Sequence, residues 1–103
     1  MKPLVIPPAA IRDPNAVQML SAWIAEKGQH CTINIGHWEG RGHDEVSSWG
    51  IFIADTIRHI ANAMRDEYGK AVPDTIAGVL KSLHTELHDP TSDVRGELSH
   101  GGS

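Results

Sequence analysis

The sequence predicts a small α/β domain, with α+β as the neighbouring alternative, ordered strand-helix-strand-helix-helix around a small sheet packed by three helices. Three observations predict it. Apolar residues recur at helical spacing in three separate segments. The segment from His30 to Trp38 alternates, as a strand with one buried face does. A chain of 103 residues, 40% hydrophobic and 21% charged, can bury one modest core and matches neither a membrane-embedded nor a disordered composition.

Leu4-Val5-Ile6 is an apolar, β-branched run bracketed by Pro3 and Pro7-Pro8. Prolines remove ladder donors, so the run reads as a short edge strand. Asp13-Pro14 then opens a helix, Asp as N-cap and Pro as a pre-organised first residue. Ala16, Met19, Leu20, Trp23 and Ile24 follow one helical face, and Gly28 ends it with Lys27 in the last turn. In the next strand Cys31, Ile33 and Ile35 face one way and Thr32, Asn34 and Gly36 the other. A helix crossing between two strands implies that the strands run parallel, with a right-handed crossover.

Glu39-Gly40-Arg41-Gly42-His43 reads as a loop. The longest helix starts at Asp44 as N-cap, runs to Tyr68, and stops at Gly69. Its main stripe is Val46, Trp49, Ile53, Ile57, Ile60, Met64 and Tyr68. Phe52, Thr56, His59 and Ala63 make a second stripe beside it. Two apolar stripes call for two packing partners. Asp55, Arg58, Asn62 and Asp66 form the wet face. Pro73-Asp74 opens the last helix, Ile76, Val79, Leu80, Leu83 and Leu87 line it, and Asp89-Pro90 stops it. Residues 1–90 therefore read as one compact domain. Residues 91–103, mostly Ser, Gly and charge, read as a disordered tail with Val94 and Leu98 as its aliphatic anchors.

Formal net charge is −4, and the nine Lys and Arg residues are scattered, so no basic stripe for nucleic acid is formed. No apolar run approaches a membrane span or a signal-peptide core. The lone Cys31 can form neither an internal disulfide nor a multi-cysteine zinc site. A cytoplasmic location is the expectation, with no cofactor.

Seven histidines raise metal binding. His84 and His88 stand four apart on the last helix, one turn from each other on the same side. The stretch His84-Thr85-Glu86-Leu87-His88 lacks the Glu placement of H-E-x-x-H, and two boundary histidines, His88 favoured by the helix C-terminus, is the preferred reading. The loop His37, Trp38, Glu39, Arg41, His43 and Asp44 lies between a strand and a helix, where α/β folds place ligands. Its Arg41 and His43, with the amides after Asp44, are candidates for a small anionic ligand, and Trp38 for a ligand platform. No G-x-x-x-x-G-K, G-x-S-x-G or P-C-x-x-C motif accompanies them, so no catalytic residue is assigned.

The opening Leu4-Val5-Ile6-Pro7, the central Trp49-Gly50, and then Asp55 and Arg58-His59-Ile60-Ala61 resemble a small bacterial family, a domain of unknown function of this chain's length. The resemblance covers nearly all but the tail. It implies a compact bacterial domain and assigns no activity, cofactor or catalytic residue.

The preferred reading is a non-enzymatic, self-associating domain that binds a protein or a small ligand. A small enzyme or anion-binding protein using the loop 37–44 is the alternative. A homodimer is expected through one of two surfaces. One is the edge of the His30–His37 strand, bearing Ile33 and Ile35 and lacking the Lys or Pro that guards edges. The other is the second helical stripe of Phe52, Thr56, His59 and Ala63.

Overall fold

The computed structural model describes residues 1–100, a mixed α/β fold of three strands and three helices. The order is α1 (Pro8–Arg12), β1 (Leu20–Ala25), β2 (Gly28–Ile35), a 3-10 turn (Glu39–Arg41), α2 (Glu45–Tyr68), α3 (Val72–His88) and β3 (Val94–His100). The α/β class expected from the sequence holds, but the element order differs in its first third and at its end.

Leu4 to Ile6 belongs to no strand. Its residues are 93, 91 and 66% exposed, and the flanking prolines that were to confine it to an edge also stop it pairing for any length. The prolines start α1 instead, with Pro7 as N-cap and Pro8 at the first helical position. Asp13 starts no helix: it is the C-cap of α1, and its carboxylate accepts the Asn15 amide at 2.8 Å in a local turn.

The predicted first helix is a strand. Leu20, Ala22 and Ile24 alternate as readily as Leu20, Trp23 and Ile24 step round a helix, and the hairpin decides between them. Glu26 and Lys27 both take positive φ, 50° and 67°, between the paired residues Ala25 and Gly28. That is a two-residue turn of the primed kind, whose twist matches the strands it joins. β1 and β2 are consequently antiparallel, with Leu20 opposite Ile33 and Trp23 opposite His30. Glu and Lys hold left-handed backbone at a cost of about 1 kcal/mol each, which Asn-Gly does not carry. Replacing Glu26-Lys27 with Asn-Gly should therefore raise Tm by roughly 10 °C; an unchanged or lowered Tm in thermal unfolding would deny the turn.

β2 is the central strand, in the order β1-β2-β3, so it has no free edge. This corrects the expectation that Ile33 and Ile35 lie on an unguarded edge. The parallel pair exists, but it is β2 with β3, from Gln29 opposite Val94 to Ile35 opposite His100, and the crossover is the α2–α3 segment. β3 stands inside the stretch that reads as a disordered tail. All of its residues are exposed, so its sequence carries no burial pattern to betray it. Residues 101–103 of the expected tail lie outside the described residues.

The two long helices follow their sequence signals. Asp44 accepts the Ser47 amide at 2.8 Å and Gly69, at φ 67°, closes α2 by donating to the Arg65 carbonyl. Gly69, Lys70 and Ala71 turn the chain into α3, which makes a helical hairpin. Trp49, Phe52, Ile53, Ile57 and Met64 of α2 are half-buried around a fully buried Ala61. Val72, Thr75, Ile76, Val79 and Leu83 are the half-buried side of α3. Val46, Ile60 and Tyr68, placed on the main stripe by sequence, are exposed.

The chain divides into two compact units. Met1–His43 with the β3 segment forms one, and Asp44–Asp93 forms the other. No described helix is long and apolar enough to cross a membrane.

Candidate functional site

The strand register sorts the sheet into two faces, because directly opposed residues point the same way. One face carries Leu20, Ala22 and Ile24 from β1, Gln29, Cys31, Ile33 and Ile35 from β2, and Val94, Gly96, Leu98 and His100 from β3, so it is apolar except at Gln29 and His100. Yet Ile24, Val94 and Leu98 are 88, 64 and 59% exposed. The other face carries Ser21 and Trp23, then His30, Thr32 and Asn34, then Arg95, Glu97 and Ser99. A depression lies on each face beside Gly96. One of about 190 Å³ is lined by Trp23, His30, Thr32 and Glu97, and one of about 160 Å³ by Ile33, Val94 and Leu98.

The polar depression combines an aromatic surface, an imidazole, a hydroxyl and a carboxylate. Those groups can hold a small polar ligand by stacking and hydrogen bonding. Trp23 donates its indole N–H to Ser21 Oγ at 3.0 Å, which fixes the ring. Sequence reasoning missed this group because it placed Trp23 in a helical core and Glu97 in a tail. Further along the same face the buried Asn34 keeps Oδ1 without a hydrogen-bond partner, while its amide donates to the Met19 carbonyl at 3.0 Å.

The predicted loop is divided between the two units, His37 to His43 in one and Asp44 in the other. His37 and Trp38 are half-buried and meet edge to face at 5.6 Å. Arg41 donates to the His37 carbonyl at 2.9 Å, which closes the loop on itself, and Gly42 takes the left-handed conformation at φ 80° that ends the 3-10 turn. Glu39 and His43 are exposed. The Ser47 amide, the donor an anion at this helix start would use, is taken by the Asp44 carboxylate. His84 and His88 are both exposed on α3, and among the described residues no group of three or more His, Cys, Asp or Glu could hold a metal ion. Of the expected helical interface, Phe52 is half-buried against the Trp49 ring at 5.5 Å, whereas Thr56, His59 and Ala63 are exposed. Asp55 and Arg58 on the wet face form an ion pair.

Two carboxyls are held below the ordinary carboxylate range. Asp44 is lowered by side-chain hydrogen bonding with Ser47 and then by the Ser47 amide. Glu86 is lowered by the Thr91 hydroxyl and then by the Thr91 amide, which ties the end of α3 to the segment leading into β3. A carboxyl with a depressed folded value stabilises the fold above its unfolded value, and that stability is lost as pH falls through the folded value. Thermal unfolding should therefore show Tm dropping on the acid side of about pH 4. The Asp44→Asn, Glu86→Gln double variant should lose less Tm than the wild type over the same acid range. Equal losses would deny these two bonds a part in stability.

A family model described as Domain of unknown function (DUF5076) matches residues 3–91. No curated protein matches the chain. Among solved structures, the chain is similar to one described as "Structure of a putative pyruvate dehydrogenase from the photosynthetic bacterium Rhodopseudomonas palustrus CGA009". The two are 19% identical, with a TM-score of 0.66, over 90% of this chain and 90% of that one. At that identity the likeness shows the fold alone.

Proposed function

The chain belongs to this family of unknown function, and from its own surfaces we propose that it is a non-enzymatic, self-associating domain that works as a homodimer in binding a protein or a small ligand. One observation carries the reading: the apolar side of the sheet is left open. Its residues Ile24, Val94 and Leu98 are more than half exposed, and the fully formed core among the described residues amounts to Met19 and Ala61. Scattered apolar residues on a surface are ordinary, but Ile24, Val94 and Leu98 share one face of three paired strands with Leu20, Ala22, Ile33 and Ile35, a largely apolar face interrupted by Gln29 and of the kind that marks an interaction site. A second copy supplies the same patch, and two-fold association is the commonest way for one chain to bury its own surface. Ile33 and Ile35 belong to this patch through their face rather than through an edge. Thr56, His59 and Ala63 offer a second exposed stripe on α2.

The test is thermal unfolding across a hundredfold range of protein concentration. Unfolding coupled to dissociation makes Tm rise with concentration. A Tm independent of concentration would contradict a homodimer that holds its fold together.

A further inference from the structure

We infer that the free edge of β1 pairs antiparallel with β1 of a second copy, about a two-fold axis at Ala22, and so merges two three-stranded sheets into one of six strands. The inference rests on the self-association proposed above and assigns it to the strand edge that borders the apolar face rather than to the face itself.

The backbone directions come from one hydrogen bond. The Asn34 amide donates to the Met19 carbonyl, so Met19 turns its backbone polar groups toward β2. Along a strand these groups alternate sides, hence Ser21, Trp23 and Ala25 also face β2. Leu20, Ala22 and Ile24 turn their N–H and C=O groups the other way, to the edge that no strand of this sheet occupies.

That edge is self-complementary. With the axis at Ala22, Leu20 stands opposite Ile24 of the second copy, Ala22 opposite Ala22, and Ile24 opposite Leu20. All three positions are those whose backbone groups point outward, so each forms a hydrogen-bonded pair. The small Ala22 side chains meet at the axis. Leu20 and Ile24 pack across it on the apolar face, which then runs unbroken across both sheets.

The strand at this edge carries no guard within its own sequence. Leu20-Ser21-Ala22-Trp23-Ile24-Ala25 has no charge and no proline, whereas the opposite edge, β3, carries Arg95 and Glu97. It is open as well. A groove of about 270 Å³ is lined by the consecutive residues Leu20 to Ile24 and by Lys2, Pro3 and Leu4. Consecutive strand residues point to both faces, so the groove follows the edge itself. Leu4 on the groove wall and Ile24 on the strand are 93 and 88% exposed and adjoin the paired backbone.

Two variants test it, read by light scattering and gel mobility on the full chain. Ala22→Pro removes the outward N–H at the axis and leaves Ser21 and Trp23 to hold the ladder to β2. It should be a folded monomer of 11.2 kDa where the wild type has twice that mass. Ala22→Cys, made together with Cys31→Ser because Cys31 stands directly opposite Ala22 in the same chain, should be joined into a covalent dimer by a bismaleimide with a two-carbon spacer, since hydrogen-bonded antiparallel partners lie about 5.5 Å apart at Cα. The wild type is the blank: its one thiol, Cys31, would sit three strand spacings, about 14 Å, from its mate. If Ala22→Pro unfolds, the cross-link decides. A dimeric wild type whose Ala22→Cys variant cross-links no better than the blank overturns the β1 pairing and leaves self-association standing. A monomeric wild type overturns both.

Discussion

Gly96→Val is expected to strip β3 from the sheet and lower Tm by roughly 10 °C or more. Gly96 lies opposite Cys31 with φ at 154°, and a Cβ built there overlaps the Cys31 carbonyl group and backbone nitrogen. The left-handed strain alone costs about 1–3 kcal/mol, and a domain of this size loses about 4–8 °C for each kcal/mol. The overlap adds to it, because its partner is backbone of the central strand rather than a flexible side-chain end. Hydrogen exchange should show the loss locally, with faster exchange at the β2 amides of Cys31 and Ile33, which face β3. A truncation that ends at Asp93 should fall to the same Tm, since both variants lose the same strand. A Gly96→Val variant that unfolds within about 2 °C of the wild type would contradict the pairing of β2 with β3.

Ala61→Glu should be as damaging, by a different route. Ala61 has no accessible surface and sits among Ile57 and Met64 on the side of α2 that the helical hairpin covers. A methyl group fits there; a carboxylate would be buried with no cation among those neighbours. An unpaired buried charge costs about 3–5 kcal/mol, enough to open a hairpin of two helices. Ala61→Ser, similar in size and able to bond its own helix backbone, should lose only about 1 kcal/mol. The measurement is helicity at 222 nm through thermal unfolding. Equal Tm values for Ala61→Glu and Ala61→Ser would show that the hairpin does not close over this position.

The second half of the fold was legible because its signals are local. Asp44, Gly69 and Pro73 mark the ends of α2 and α3 within a residue or so, and the 3, 4 spacing runs unbroken between them. The first half was not, and the reasons are physical. Met19, Leu20, Trp23 and Ile24 satisfy a helical face, while Leu20, Ala22 and Ile24 satisfy a strand face. Only the turn at Glu26-Lys27 separates the two, and it lacks the Asn-Gly pair that announces such turns. β3 was hidden for another reason: an edge strand exposed throughout needs no apolar alternation, so its mixture of charge, Ser and Gly looks like a tail. Its pairing with β2 joins residues far apart in sequence, which no local pattern reports. The candidate site suffered in consequence. The loop 37–44 was legible as a turn and a cap, and that is how Arg41 and Asp44 are employed. Trp23, His30 and Glu97 come together only through the register of three strands.

The most direct test of the account is the mass of the protein in solution, by light scattering after size exclusion at low micromolar concentration. Self-association of the sheet predicts twice 11.2 kDa, and a single species of 11.2 kDa would contradict it.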